Sequence, residues 1–380
     1  MEMATVSIQE KPETRFQPAS VNPLPKYIPE LDGLRALAVL AVLAYHLNLR
    51  GFSLGWTGVL LFFVLSGFLI TGILLDSKDR PGYFRNFYLR RVLRIFPIYY
   101  IALAGIVGIA LWQHQSLADL GYYLTYTQNY LLGFTNFTAS FPIMFNQSWS
   151  LAVEEQFYLL WPATILLLDR QKLKLVIPAM LAVGIASRAV ALFALHNPAV
   201  VPTVIYTSLP TQLDSLAVGA GLALLVRSEV KAEVLARGAL WACLLVGLVL
   251  FWLIDTTGVS NYWHVSGWAM RPSNLPMPTL IAIFWGALLA LVVLGNSLLS
   301  SILRLGFLRQ IGKISYAIYI YHFPVYVLTD SYLAPYFPQG DSLFAQSLLP
   351  LTKLLITFLL ALASWHLVES PLLRLKKRLR

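Results

Sequence analysis

The sequence is poor in charge and almost without cysteine. Only 12% of its 380 residues are Asp, Glu, Lys or Arg, while 58% are hydrophobic. Soluble domains carry about a quarter charged residues, so a water-soluble globule is excluded. The single Cys243 lies inside an apolar run, which leaves no disulfide framework, no thiol cluster and no basic neighbour to activate a catalytic thiolate. No His, Asp or Glu spacing suggests a metal site, and there is no glycine-rich nucleotide loop. The first 26 residues lack the basic, apolar and small-residue succession of a cleaved signal.

What is present is a series of apolar runs. Ten spans are predicted, at 31–49, 56–76, 95–113, 149–168, 174–193, 209–226, 239–254, 278–296, 314–333 and 348–368. The expected fold is therefore all-α, a polytopic membrane protein in the lipid bilayer. With the N-terminus inside, Lys and Arg collect on the inner segments, from the cluster Lys78 to Arg94 through Arg170, Arg227 and Lys313 to the tail Arg374 to Arg380. The outer segments hold little more than Arg50 and Arg271. That bias sets orientation and predicts cytoplasmic termini. The expected domains are a cytoplasmic tail at 1–27, a transmembrane domain at 28–371 and a basic cytoplasmic tail at 372–380. The net charge of +10 is accounted for by this asymmetry, so no nucleic-acid partner is implied.

The stretch IPELDGLRALAVLAVLAYHL, residues 28–47, organises the rest. It approaches a membrane span in length yet carries Asp32, Arg35 and His46. A charge at the bilayer centre costs at least ~2.5 kcal/mol and is functional by default. Arg35 and His46, eleven positions apart, return to within roughly 20° of one helix face, about 16 Å apart along the axis. One face thus presents a fixed cation near one membrane surface and an imidazole towards the other.

Other ionisable groups fall at further span ends. Arg90, Arg91 and Arg94 follow the second span, with Arg90 and Arg94 on a shared face. They fit either a stop-transfer cluster anchored by anionic lipid or a phosphate site, which the guanidinium fork suits. Glu154 and Glu155 open the fourth span after Trp149 and Ser150; only one of two adjacent carboxylates can face a given site. At comparable depth, Glu154 is expected to meet His46 and hold its ring as a base needs, or else to pair structurally. Arg188 and Asp214 are expected to form a structural ion pair. Tyr316, Tyr319 and His322 mark the ninth span, Tyr319 and His322 at i, i+3 on one face; they are candidate lining residues. The segment 114–148, rich in Tyr, Asn, Gln and Phe, suits either a sugar site or an interfacial aromatic belt.

The stretches ELDGLRALAVLAVLAYH, FFVLSGFLIT, RRVLRIFPIYY, WSLAVEEQFYLLWP, LDSLAVG, GKISYAIYIYHFP and VESP, in this order, resemble the membrane-bound acyltransferase-3 family of carbohydrate and macrolide O-acyltransferases. The resemblance covers residues 28 to 371. It implies ten spans in a bacterial inner membrane and transfer of an acyl group, by family habit acetyl, from acyl-CoA as co-substrate to a carbohydrate or small-molecule acceptor. No permanently bound cofactor and no metal are implied. The family's first-span Arg and His fall on Arg35 and His46, its membrane-entrance arginines on Arg90, Arg91 and Arg94, and its glutamate on Glu154. The implied roles are His46 and Glu154 in catalysis, the four arginines on CoA, and Trp149, Ser150, Tyr316, Tyr319 and His322 on substrate. Some members carry a fused SGNH hydrolase-like domain; none is expected here. Where the family often has Arg two residues before the sixth-span Asp, this chain has Gln212. The competing expectation is a proton-coupled transporter or flippase, which also needs buried Arg, His and Glu in broken helices.

Overall fold

A computed structural model describes residues 27–141, 143–257, 271–295, 297–338 and 342–376. Most of the predicted N-terminal tail and the last four residues lie outside these. Every regular element among the described residues is helical. Ten long helices coincide with the ten predicted spans: α1 (Pro29–His46), α2 (Thr57–Ser77), α3 (Tyr83–Trp112), α6 (Trp149–Leu167), α7 (Arg170–Ala194), α9 (Leu209–Leu225), α10 (Ala232–Thr257), α11 (Met277–Val293), α14 (Ser315–Tyr332) and α15 (Leu343–Ser364). Short helices α4 (Leu120–Leu124), α5 (Gln128–Phe134), α8 (Val201–Thr207), α12 (Ser297–Leu303), α13 (Gly306–Lys313) and α16 (Ser370–Lys376) connect them. Helix α3 starts twelve residues before its predicted span because its first turns hold the charged Arg85 to Arg94 stretch, which hydropathy cannot count as span but which is still good helix sequence.

Among the described residues, six segments are long and apolar enough to cross a membrane, lying on α2, α3, α7, α10, α11 and α15 with its continuation. The other four long helices, α1, α6, α9 and α14, are shorter or more polar, and they carry Arg35 and His46, Glu154, Asp214, and Tyr319 and His322. Outward-facing apolar side chains such as Leu248 and Phe251 on α10 and Leu355 and Leu359 on α15 are well exposed. In water such a belt would be a liability, and in lipid it is the solvated surface. The chain is a polytopic membrane protein.

Small residues bring the inner helices together. A Cβ on Gly219 of α9 would sit 1.9 Å from the Val64 carbonyl oxygen of α2, so only glycine allows that approach, as expected where packing rather than hydrophobicity drives association. Gly312 of α13 meets the Asp32 carbonyl oxygen of α1 equally closely, at 1.8 Å.

A buried ion pair ties α7, α9 and α11. Arg188 Nη2 lies 2.8 Å from Asp214 Oδ2 with both side chains essentially inaccessible. Arg188 also donates to the Thr211 carbonyl, and Thr279 Oγ1 donates to Asp214. The predicted pair is present. The departure at Gln212 does not orphan Asp214, because its partner comes from the neighbouring helix while Gln212 donates to the Tyr206 carbonyl at 2.8 Å.

Arg188→Met is expected to lower stability by about 3–5 kcal/mol, the usual cost of stranding one buried charge. The double variant Arg188→Met, Asp214→Leu should recover most of that loss. Thermal melting of the three proteins in one detergent measures both.

A two-cavity candidate active site

Helix α1 begins at Pro29, which lacks the N–H that the first turn cannot use, and Glu30 and Asp32 favour its positive end. It stops at His46, where Asn48 takes a left-handed φ of 54°. Its two ends open on two different cavities.

The first cavity has about 1020 Å3 of empty space. Arg35 of α1 and Arg91 and Arg94 of α3 line it, facing Glu154 and Glu155 of α6. Arg90 is not part of this lining: the helix turns Arg91 and Arg94, three apart, to the cavity instead of the predicted 90/94 pair. The guanidinium of Arg91 lies over the Phe87 and Tyr158 rings, 5.9 and 5.8 Å from their centroids. Tyr158 donates to Ser66 Oγ at 2.9 Å, and Ser66 in turn donates to Glu154. Arg35, Arg91 and Arg94 are the electrostatic neighbours of that carboxylate. Glu369 adds a third acid near Arg94 and Arg35, carried by a π-helical turn at Trp365–Glu369, a distortion common at functional positions. Tyr316 and Ser150 also line this cavity, the Tyr316 hydroxyl donating to the Ile95 carbonyl at 3.0 Å.

The second cavity, with about 1180 Å3 of empty space, lies at the other end of α1 around His46. Trp56, Trp149, Tyr206 and Phe137 supply aromatic walls, and Asn136, Asn146 and Gln147 supply amides. Trp149 and Tyr206 pack with ring centroids 4.5 Å apart. The segment 114–148 thus divides. Gln128 and Asn129 are buried and tie α5 to the Ser148 and Thr207 carbonyls, whereas Asn136, Phe137, Ile143, Asn146 and Gln147 line the cavity.

The two cavities share Val59 and Tyr319 in their linings. The Tyr319 hydroxyl lies 2.6 Å from Ser150 Oγ and 3.0 Å from the Gln147 carbonyl oxygen. It is held across the boundary between them.

The sequence placed His46 beside Glu154; the structure does not bring them together. Glu154 is held by Ser66 in the arginine cavity, while His46 has a second imidazole, His322 Nε2, 3.3 Å from its Nδ1. Counting depth along separate helices ignored the tilt and rotation that packing decides. His322 itself is fully buried and lines neither cavity. Glu154 and Glu155 both line the arginine cavity, against the expectation that only one of two adjacent carboxylates would face a site; the cavity is wide enough to meet both directions. Ser66, Tyr158 and Glu369 were not foreseen as site residues. The contact between Ser66 and Tyr158 joins two helices 92 positions apart and leaves no local trace in sequence, whereas Glu369 could have been suspected as an acid in an apolar terminal run. Among the described residues, no group of His, Cys, Asp and Glu is arranged to hold a metal.

The fold and the site define a polytopic membrane protein with an ionic cavity and an aromatic, histidine-bearing cavity meeting inside the bundle. The chain belongs to the acyltransferase-3 family: the family's profile, described as an acyltransferase domain, matches residues 28–368. It is similar to peptidoglycan O-acetyltransferase OatA of Listeria monocytogenes, 32% identical over 362 residues, 91% of this chain and 56% of that protein. It is similar also to O-acetyltransferase OatA of Staphylococcus aureus, 28% identical over 371 residues, 92% of this chain and 57% of that protein. The chain thus spans about half the length of the curated relatives it matches. No solved structure matches it.

Proposed function

We propose that the protein transfers an acyl group, acetyl in the first instance, from acyl-CoA to a hydroxyl of a cell-envelope carbohydrate such as peptidoglycan, across a bacterial plasma membrane. The observation that carries this reading is the placement of three arginines and one histidine in two cavities that share a wall. The arginine cavity lining gathers three guanidinium groups around one open space, with Glu154 and Glu155 beside them, an arrangement that suits an anionic ligand. Guanidinium groups bind phosphate oxygens by forked, charge-assisted hydrogen bonds. Arg35, Arg91 and Arg94 suit the phosphates of CoA, with Glu154 and Glu155 spacing them. The thioester then lies towards Tyr319.

The aromatic cavity suits a sugar, whose apolar faces pack on Trp and Tyr while amides satisfy its hydroxyls. His46 is the group there with the chemistry of a base, an imidazole able to take and return a proton. It takes the proton as the acceptor oxygen attacks the thioester carbonyl. A C–O bond forms, the C–S bond breaks, and the thiolate of CoA leaves and takes up a proton, restoring the neutral imidazole. The family relationship and the names of the two relatives support the same reaction class. The inner-face excess of Lys and Arg supports CoA entry from the cytoplasm. Glu154 has its role at the donor end, not as the partner of His46.

The test is label transfer from acetyl-CoA to a panel of glycan acceptors by the purified full chain. His46→Ala is expected to lose at least about 100-fold in rate, the lower end of general-base contributions, while melting like wild type. Transfer that survives in the folded variant would contradict the assignment. Arg91→Ala and Arg94→Ala should each weaken CoA binding about 10-fold or more, for loss of a hydrogen bond to a charged group, and Arg90→Ala should not.

A further inference from the structure

Three features of the bundle stand outside the mechanism above: the apolar groove lined by Ala41, Leu250 and Trp285, the Lys353–Asp330 pair, whose aspartate is half exposed, and the imidazole of His322. The groove shows nothing of what covers it. The Lys353–Asp330 pair, Nζ to Oδ1 2.7 Å, is complete in itself. His322 is different, because its hydrogen bonds decide what His46 can do.

A backbone carbonyl only accepts hydrogen bonds. His322 Nδ1 lies 2.7 Å from the Tyr319 carbonyl oxygen, so that nitrogen carries a proton. His46 Nδ1 lies 3.0 Å from the Val42 carbonyl oxygen, so it is also an N–H. The remaining contact, His322 Nε2 to His46 Nδ1 at 3.3 Å, then has one consistent assignment. His322 is neutral with its lone pair on Nε2, and it accepts a share of the His46 Nδ1 proton. The lone pair of His46 is left on Nε2, the nitrogen with no hydrogen-bond partner among the described residues. The rings are 5.1 Å apart between centroids, and Phe323 packs on His46 at 5.3 Å edge to face, so neither ring is free to turn.

We infer that His322 is a positioning residue: a neutral imidazole acceptor that fixes the ring of His46 with Nε2 as its basic atom and shares the Nδ1 proton of the imidazolium formed during transfer. It takes the place that a carboxylate holds in other base–orienter pairs. A neutral partner suits a span, where a second buried charge would itself need compensation. The Tyr319 carbonyl that orients His322 belongs to the residue whose side chain divides the two cavities, so one helical turn of α14 sets both the wall and the base. The kinetic part of this inference rests on the acyltransferase reading; the proton placement does not.

The experiment uses the full chain, labelled with 15N-histidine and reconstituted in lipid, with His46→Gln to assign the resonances. Wild type is expected to show the His46 proton on Nδ1, Nε2 unprotonated, and magnetisation transfer from that proton to His322 Nε2. A proton on His46 Nε2, or no contact between the rings, would overturn the proposal whether or not any variant folds. In label transfer, His322→Leu is expected to lower kcat about 10–100-fold, as for other groups that orient a histidine through its second ring nitrogen, with KM for acetyl-CoA unchanged. His322→Gln, whose amide oxygen can accept from Nδ1, should recover most of it. Unchanged kcat in His322→Leu would also overturn it. The expected proton placement in a protein that transfers no label would instead uphold the pair and refute the acyltransferase reading.

Discussion

Keeping charge inside an apolar bundle is the constraint on which the rest of the structure depends. Each guanidinium withdrawn from water needs a counter-charge or hydrogen-bond partners. The chain meets this need in two ways. At Arg188 the charges close on one another: Asp214, Thr211 and Thr279 take up both terminal nitrogens of the guanidinium, leaving only Nε without a partner, and the result is a clamp between three helices. At Arg35, Arg91 and Arg94 the charges instead surround an open space: Glu154 and Glu155 share the lining, and Arg91 Nε and one Glu155 oxygen are buried without a partner. A site of this kind favours a polyanion entering it. The same residue types thus make a structural joint in one place and a binding site in another, according to whether the charges close on themselves.

The second consequence concerns the path between the cavities. A transferase that works across a membrane must bring two substrates together without opening a continuous pore. In the proposed reaction Tyr319 serves both demands. Its hydroxyl is anchored to Ser150 and Gln147, its ring packs against Phe62 at 6.2 Å between centroids, and it borders both cavities. Helices α1, α6 and α14, which converge there, are among the long helices least suited to cross lipid by themselves. Contact with the bilayer is carried by apolar helices such as α7, α10 and α15, the most exposed of the candidate spans.

Much of this was legible in the sequence where one helix suffices. The eleven-residue interval between Arg35 and His46 specified that one face of α1 serves two ends, and the apolar runs located every long helix. Arg91, Arg94, Trp149, Ser150, Tyr316 and Tyr319 were picked out as ionisable or polar residues in apolar surroundings, and all of them line one cavity or the other. Relations between helices were not legible. Glu154 was paired with His46 by depth, yet rotation of α6 turns it to Ser66 and the arginines. The imidazole that does meet His46 comes from 276 positions away. The choice of Arg91 over Arg90 likewise depends on the rotation of α3 against α6, which composition does not encode. The segment 114–148 mixed buried amides that tie helices with amides that line the cavity, and only the fold separates them.

The central claim is that the acyl group changes sides. Its most direct measurement places the purified chain in sealed vesicles, selects one orientation, and supplies labelled acetyl-CoA only to the compartment next to the arginine cavity and a glycan acceptor only to the other. The account predicts covalently labelled acceptor in the compartment that never contained CoA, with free CoA appearing where the donor was added. Label recovered only on acceptor mixed with the donor, or unmodified substrate carried across the membrane, would contradict it.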